Sequence, residues 1–171
     1  MPDITDIRSV AEALTPKALS NSLSWTAGGA SDAATWTGIA INRAAFSNGA
    51  LPRSADVFVA YDATLASGKT LSVSYAFKDG ADGTNFSDYA TQTSTVIATG
   101  PSGGGRVVGV ARLLNSSGNA PTGTPGVHLG SARNYVRCDI VPDLSATGTD
   151  TAVIWAIGEF GGFDSLAAPQ S

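Results

Sequence analysis

Alternation of apolar and polar side chains at every second position recurs along most of this chain and is clearest in residues 69–78 (KTLSVSYAFK). This period is typical of a β-strand with one buried face. Similar segments occupy residues 36–43, 56–61, 86–89, 93–99, 106–114, 133–141 and 151–157. About eight strands at intervals of roughly ten residues, separated by turn-forming residues and with no convincing interior helix, predict an all-β fold. The expected architecture is an antiparallel β-sandwich or jelly roll.

Two segments near the C-terminus give the strongest strand signals. In residues 133–141 (RNYVRCDIV), Val136, Cys138 and Ile140 alternate with charged or aromatic residues, so one face is expected in the core and the other against water or a partner. In residues 151–157 (TAVIWAI) both faces are apolar, which predicts a central strand covered on both sides, with Trp155 in the packing. The rest of the chain is expected to assemble around this pair.

The first 34 residues lack the strand pattern. Ile4, Ile7, Val10 and Leu14 recur at three- and four-residue intervals, a spacing compatible with one short amphipathic helix that ends before Pro16. The residues that follow show little periodicity and indicate an extended arm. We therefore divide the chain into an N-terminal arm (1–34) and a β-sandwich domain (35–171). The arm is either a frayed terminus or a segment that becomes ordered by lying across a neighbouring subunit.

The overall charge narrows the classes of partner. Charged residues make up 14% of the 171 residues, the net charge is -4, and Lys and Arg do not cluster, so a nucleic-acid partner is not expected.

The N-terminus has neither the basic nor the apolar region of a secretory signal, and no apolar run approaches the length of a membrane span. We expect synthesis and folding in a reducing cytoplasm, where the lone Cys138 acts as a small buried hydrophobe.

Two motifs resemble catalytic or metal-binding sites. Residues 100–104 (GPSGG) match the G-x-S-x-G pattern of hydrolases, but a strand rather than a helix is predicted after Ser102, and His128 has no identifiable orienting acid. Oxygen-bearing side chains at Asp79, Asp82, Asn85 and Asp88 offer calcium ligands, yet their spacing fits no EF-hand, and a turn stabilised by Asp and Asn is the preferred interpretation. We therefore expect no enzymatic activity and no cofactor.

Charged residues on the strand 133–141 suggest a contact surface. Arg133, Arg137 and Asp139 share one face of that strand. They predict either a cross-strand ladder of ion pairs or a contact between subunits. Both interpretations stay open at the level of sequence.

Several sequence segments resemble a group of small virion proteins of tailed bacteriophages that are often encoded close to the major capsid protein. They are residues 37–43 (TGIAINR), 68–73 (GKTLSV), the Asp-Gly turn before Phe86, 134–137 (NYVR), 144–152 (LSATGTDTA) and 161–164 (GGFD). The resemblance covers roughly residues 35–168 and implies a structural role, most simply as a decoration or cement protein on the capsid surface.

The resemblance also implies partners. They are the major capsid protein and copies of the chain itself, assembled as a trimer or another cyclic oligomer. The candidate intersubunit contacts are Ile4, Ile7, Val10, Leu14, Arg133 and Arg137. The alternatives are a head spike, tail or fibre component of the virion, and a carbohydrate-binding module that uses aromatic residues in loop-like positions, namely Trp25, Tyr89 and Phe163.

Overall fold

The computed structural model describes residues 14–46, 51–114, 117–118, 126–146 and 148–162. Within these ranges it contains eleven β-strands and one 3₁₀ turn, Arg43–Ala45. The strands are β1 (Leu14–Ala18), β2 (Leu23–Thr26), β3 (Ile41–Asn42), β4 (Ser54–Leu65), β5 (Thr70–Gly80), β6 (Ser87–Thr99), β7 (Gly105–Leu113), β8 (Ser117–Gly118), β9 (Val127–His128), β10 (Tyr135–Leu144) and β11 (Thr151–Gly161). The prediction of an all-β protein is confirmed.

The described strands form two antiparallel sheets. The six-stranded sheet has the order β1-β11-β4-β7, with β2 also paired to β11 and β9 to β4. The five-stranded sheet has the order β3-β10-β5-β6-β8. Inward-facing side chains of both sheets share one core, because each strand turns every second side chain toward the other sheet. Members of that core with no exposed surface include Val59, Leu71, Val73, Phe77, Val136, Ile140, Ile154 and Phe160.

The connections between strands define a jelly roll. Along the chain, β4 lies in the six-stranded sheet, β5 and β6 in the other, β7 in the first again, β10 in the second and β11 in the first. Among the long described strands, consecutive neighbours pair directly only at the β5–β6 hairpin, and the other connections cross between sheets. This crossing pattern, with β1 and β2 beside β11 and β3 beside β10, gives the double-sheet jelly roll rather than a meander.

Two expected neighbours are separated by this topology. The C-terminal strands β10 and β11 lie in different sheets, so they do not form the expected central pair. The turn residues Ser67 and Gly68 also predict a hairpin between residues 56–61 and 69–78. That prediction is wrong, because β4 and β5 belong to different sheets and the turn at Gly68 carries the chain between them. Alternation fixes which face of a strand is buried but not which strand lies beside it.

The described part of the predicted arm belongs to the sheet. From Leu14 opposite Gly161 to Ala18 opposite Ile157, β1 pairs with β11. Further along the chain, β2 pairs with the other half of β11. Leu19 is completely buried, and Leu23 and Trp25 are each 5% exposed. Residues 14–34 are therefore continuous with the two-sheet body, whereas residues 1–13, with Ile4, Ile7, Val10 and the expected helix, lie outside the described residues.

Candidate interaction surfaces

Arg137 is held on its own strand. Its Nε and Nη2 donate to the two carboxylate oxygens of Asp139 at 2.7 and 2.9 Å. The guanidinium also stacks over the ring of Phe86, 4.5 Å from the ring centroid. Only 19% of the Arg137 side chain is exposed. Asp139 accepts a further hydrogen bond from the backbone N–H of Gly38, so the pair fastens the segment before β3 to β10.

Arg133 fastens the loop before β10 to the end of β5. Its backbone N–H donates to one oxygen of Asp79 at 2.8 Å, and its Nη2 donates to the other oxygen at 2.8 Å and to the Asp79 carbonyl at 2.6 Å. Burial of Asp79 opposes its ionisation, but the side-chain and backbone hydrogen bonds from Arg133 outweigh burial and lower the pKa of Asp79. The Arg133 side chain is 44% exposed.

Lys78 links three strands on the same face of the five-stranded sheet. Its Nζ lies 3.2 Å from an oxygen of Asp88 on β6 and 3.5 Å from an oxygen of Asp139 on β10. This arrangement is a cross-strand ladder of ion pairs, one of the two interpretations that the sequence left open, but its cation is Lys78, whereas Arg137 pairs along its own strand. Both predicted arginines therefore have partners within the chain, and their contact with another subunit stays a prediction.

A different surface carries the exposed apolar side chains. On the outer face of the six-stranded sheet, Trp155 of β11 lies opposite Ala60 of β4, which lies opposite Val110 of β7. Val108 and Val110 are 62% and 67% exposed, and Trp155 is 39% exposed. We define this surface as the apolar face; its members are Phe58, Ala60, Val108, Val110, Val153, Trp155 and Ile157.

Two ion pairs lie on the same side of the sheet as the apolar face, and Asp62 of one pair lies in register between Val153 and Val108. Arg106 makes a bidentate contact with Asp62, at 2.8 Å from Nε and 2.7 Å from Nη2. The hydrogen bond from Arg106 lowers the pKa of Asp62. In the other pair Arg112 contacts Asp56 and lies over the ring of Phe58, 5.7 Å from its centroid. Each of these arginines is thus neutralised by an aspartate on the adjacent strand.

A cavity of about 250 Å³ lies beside the Arg112–Asp56 pair. It includes Leu14, the one apolar residue of the predicted contact set that the structure describes, and Leu14 is 37% exposed. His128 also lines the cavity, next to β4, where it lies opposite Ser54. Within the described residues, no three His, Cys, Asp or Glu side chains are placed to hold one metal ion.

The two catalytic or metal-like motifs occupy turns. The turn that contains Ser102 leads into β7, a strand as expected. In the loop between β5 and β6, Asp82 accepts hydrogen bonds from the backbone N–H groups of Thr84 at 2.9 Å and Asn85 at 2.7 Å. These bonds, the one from Asn85 foremost, hold the pKa of Asp82 well below its usual range. Asp82 therefore stabilises the β5–β6 turn, in agreement with the preferred interpretation.

The burial of two of the three tryptophans, Trp25 and Trp155, is the reverse of the expectation. Trp25, expected in a loop-like position, is 5% exposed, and its indole N–H donates to Asp32 at 3.2 Å. Trp155, expected in the packing, has its ring on the apolar face. Tyr89 and Phe163 are the other aromatic residues of the carbohydrate-binding alternative. The phenol of Tyr89 donates to the carbonyl of His128 at 2.6 Å. Phe163 lies outside the described residues.

Sequence reasoning missed the apolar face because alternation is weak in its strands. In residues 106–113 both faces of β7 carry apolar residues, and the small ones, Gly109 and Ala111, point inward. Gly109 lies where a Cβ would meet the hydroxyl of Tyr61 at 2.5 Å, so the Tyr61 side chain occupies the space beside this glycine. Val107 packs against the core, whereas Val108 and Val110 face outward. Two small residues two positions apart, Gly109 and Ala111, were the signal in the sequence.

Comparisons with known proteins give distant likenesses. No protein-family model matches the sequence, and no curated protein matches it. A chain from the structure of infectious bursal disease virus, Gx strain, is similar with a TM-score of 0.44 and 10% identity, over 90% of this chain and 32% of that chain. A mutant VP2 protein of the same virus, in derived T=1 particles, gives a TM-score of 0.35 and 12% identity, over 86% of this chain and 35% of that chain.

This chain spans about a third of the length of those viral chains. With identities below 25% and TM-scores below 0.5, the likenesses transfer no role to it. Separately, no helix among the described residues is long and apolar enough to cross a membrane.

Proposed function

We propose that this chain is a non-enzymatic structural protein of a virion, and specifically a decoration or cement protein on the head of a tailed bacteriophage. The observation that carries the proposal is the apolar face, where Val108, Val110 and Trp155 are exposed on the outer side of the six-stranded sheet. Contiguous apolar surface of this kind marks a place where another molecule packs. The resemblance of residues 35–168 to small phage virion proteins supports the view that this other molecule is a protein of the capsid.

We propose that the chain acts by adding contacts to the shell and not by a chemical reaction. A cement protein adds contacts that exist only in the assembled, expanded shell, and it stabilises that shell because it binds one state and not the other. Repetition over a symmetric lattice multiplies modest contacts through avidity. The partners are the major capsid protein and copies of the chain itself, as a trimer or another cyclic oligomer, because capsids offer rotation axes at which such oligomers fit.

The test is to add the purified, labelled chain to expanded heads that lack it and to locate the label by electron microscopy. We expect regular density over the whole shell and a copy number that follows the number of capsomers. A signal confined to one vertex or to the tail, at about a dozen copies or fewer, would assign the chain to a spike, tail or fibre instead. Absence from purified particles of the phage would reject a virion role altogether.

A carbohydrate-binding module is the second candidate because an exposed indole on a flat sheet can stack on a sugar ring. Trp155 is the residue in that position. The test is a glycan array probed with the wild-type chain and with Trp155→Ala. Binding that the substitution removes would favour the module, and a blank array would reject it.

A further inference from the structure

The cavity described above lies on the outer face of the six-stranded sheet, where two rows of side chains meet. In one row Glu159 of β11 lies directly opposite Asp56 of β4, and in the next row Gly161 lies opposite Ser54. On its other side Gly161 lies opposite Leu14 of β1. Because Gly161 has no side chain, it leaves space between Leu14 and Ser54, two of the residues that line the cavity.

Glu159 gives the cavity a carboxylate without a partner. The residue is half-buried, and among the described residues it makes no hydrogen bond or ion pair. The carboxylate of Asp56 opposite it is engaged, because Arg112 pairs with one oxygen and Gly126 lies so close to the other that an added Cβ would be 2.7 Å from it. Like charges directly opposite on neighbouring strands destabilise a sheet. A cation beside Glu159 would offset that cost.

The size and the lining of the cavity favour a single basic side chain as its occupant. A volume of about 250 Å³ is below the roughly 300–1,000 Å³ of pockets for drug-sized ligands and cofactors. With His128 neutral, the lining contains two carboxylates and one guanidinium, and this excess of negative charge attracts a cation. Leu14 and Val127 add apolar surface, against which the methylene stem of a lysine or arginine can pack.

The charges of the chain favour another protein as the source of that side chain. Within the described residues, five basic side chains pair with aspartates of the same chain, namely Lys78, Arg106, Arg112, Arg133 and Arg137. Arg43 is buried and donates to backbone carbonyls. These are six of the ten basic residues, so most cations of a second copy are already engaged. A second copy, with its net charge of -4, is also repelled at long range.

We propose that this cavity binds a lysine or arginine side chain presented by another protein, and that Glu159 pairs with the charge of that side chain. Within the proposed function, the protein that presents it is the major capsid protein. The test uses the free chain and small probes, without particles, so a failure here and a failure of the virion role give different results.

The experiment is a titration of the isotope-labelled full chain with N-acetyl-argininamide and N-acetyl-lysinamide, followed by the chemical shifts of backbone amides at constant ionic strength. We expect saturable shifts at the amides of Leu14, His128 and Glu159, with a dissociation constant on the order of 10 mM, the range of one charge-assisted contact. The neutral probe N-acetyl-glutaminamide should cause no saturable shift at these amides.

Glu159→Gln should weaken the binding of both basic probes about tenfold or more, because the charge of the contact is lost. Its urea midpoint should stay the same or rise, because the like charge opposite Asp56 is removed. A glutamate with a merely structural role would instead lower the midpoint when replaced. The matched control is Asp88→Asn, which removes the same charge from a 72% exposed side chain on the five-stranded sheet and should bind the probes as the wild-type chain does.

Three results would overturn the proposal. They are the absence of saturable shifts at the cavity amides, equal binding of the neutral and basic probes, and equal losses in Asp88→Asn and Glu159→Gln. Deleting residues 2–13 removes Arg8 and should leave the affinity for the basic probes unchanged. An affinity that rises on this deletion would assign the cavity to a segment of the same chain and would reject another protein as the source.

Discussion

Asp32, Arg43 and Asp79 show how single charged residues hold the loops of this protein. Asp32 accepts from the backbone N–H groups of Gly28 and Leu144, at 2.6 and 2.9 Å. Arg43 is 3% exposed and donates to the carbonyls of Pro52, Arg133 and Ala132. Asp79 fixes the loop before β10 through Arg133. Arg43 and Asp79 are buried, and a buried charge is tolerated only with such hydrogen bonds, so both residues stabilise the fold.

The Asp79–Arg133 pair gives a prediction on pH. Replacing Asp79 by Asn should lower the free energy of unfolding by about 1–2 kcal/mol at pH 7, because charge-assisted hydrogen bonds are lost. The folded-state pKa of Asp79 is lowered, so its contribution is present above the pKa of an unfolded aspartate, about 3.9, and is lost as the pH falls toward the folded value. Urea unfolding of both proteins between pH 3 and 7 would measure the difference.

Asp88→Asn serves as the control for that series. The Asp88 side chain is 72% exposed and pairs with Lys78 at 3.2 Å, so solvent screens most of its interaction. We expect almost no change in stability at any pH in the series. A difference between the wild-type chain and Asp79→Asn that stayed constant down to pH 3 would contradict the assignment to the ionised carboxylate.

At the scale of elements, a close backbone contact at Gly38 decides how the segment before β3 packs against β10. Gly38 lies where an added Cβ would be 2.0 Å from the carbonyl oxygen of Cys138 and 3.0 Å from that of Leu19. Both neighbours are backbone atoms, so neither can move without shifting a strand or the segment beside it. The segment before β3 can therefore pack between these two parts of the chain only with glycine at this position.

We predict that Gly38→Ala destabilises the protein by about 1–3 kcal/mol, the usual cost of forcing extra atoms into a packed site. Gly130→Ala is the matched control, since nothing lies within 4 Å of an added Cβ there. It should leave the free energy of unfolding unchanged or raise it slightly, because alanine restricts the unfolded chain. Urea midpoints measure both, and equal midpoints for the two variants would show that the contact at Gly38 is not tight.

At the scale of the whole molecule, the fold is completed by residues that look like a tail in the sequence. The first strands, β1 and β2, cover one edge of β11, and Leu19 between them is completely buried in the core. Their removal would leave an unpaired strand edge, which is a template for aggregation. The N-terminal segment is therefore part of the jelly roll at least from Leu14 onward.

Two truncations separate folding from any binding by the N-terminus. Deleting residues 2–20 should cost about 2–5 kcal/mol from the loss of Leu19 alone, in addition to the β1 pairing. Deleting residues 2–13 leaves every described residue in place, and its urea midpoint measures what those residues add to stability. The shorter deletion is the one with which to test Ile4, Ile7 and Val10 as contacts on particles. Equal stability of the 2–20 deletion would show that β1 is dispensable.

The sequence predicts the positions of several residues in the fold, but it does not predict the apolar face. The inward position of Cys138 follows from alternation and is confirmed, and burial, with the charge of Asp139, raises the pKa of its thiol. The Asp82 turn follows from local turn chemistry and is also confirmed. Trp155 was not predictable in the same way, because a strand with two apolar faces reads as covered on both sides whether or not a second layer exists.

The sequence by itself determined that the chain is all-β, where most long strands lie and which side chains of the alternating strands face the core. These are local properties, set by the two-residue period of a strand and by the conformations that turn residues allow. Only the tertiary structure decided that β10 and β11 lie in different sheets, that Arg133 and Arg137 have partners within the chain, and that the apolar face is open. Pairing and exposure depend on contacts between residues far apart in sequence, which local alternation does not encode.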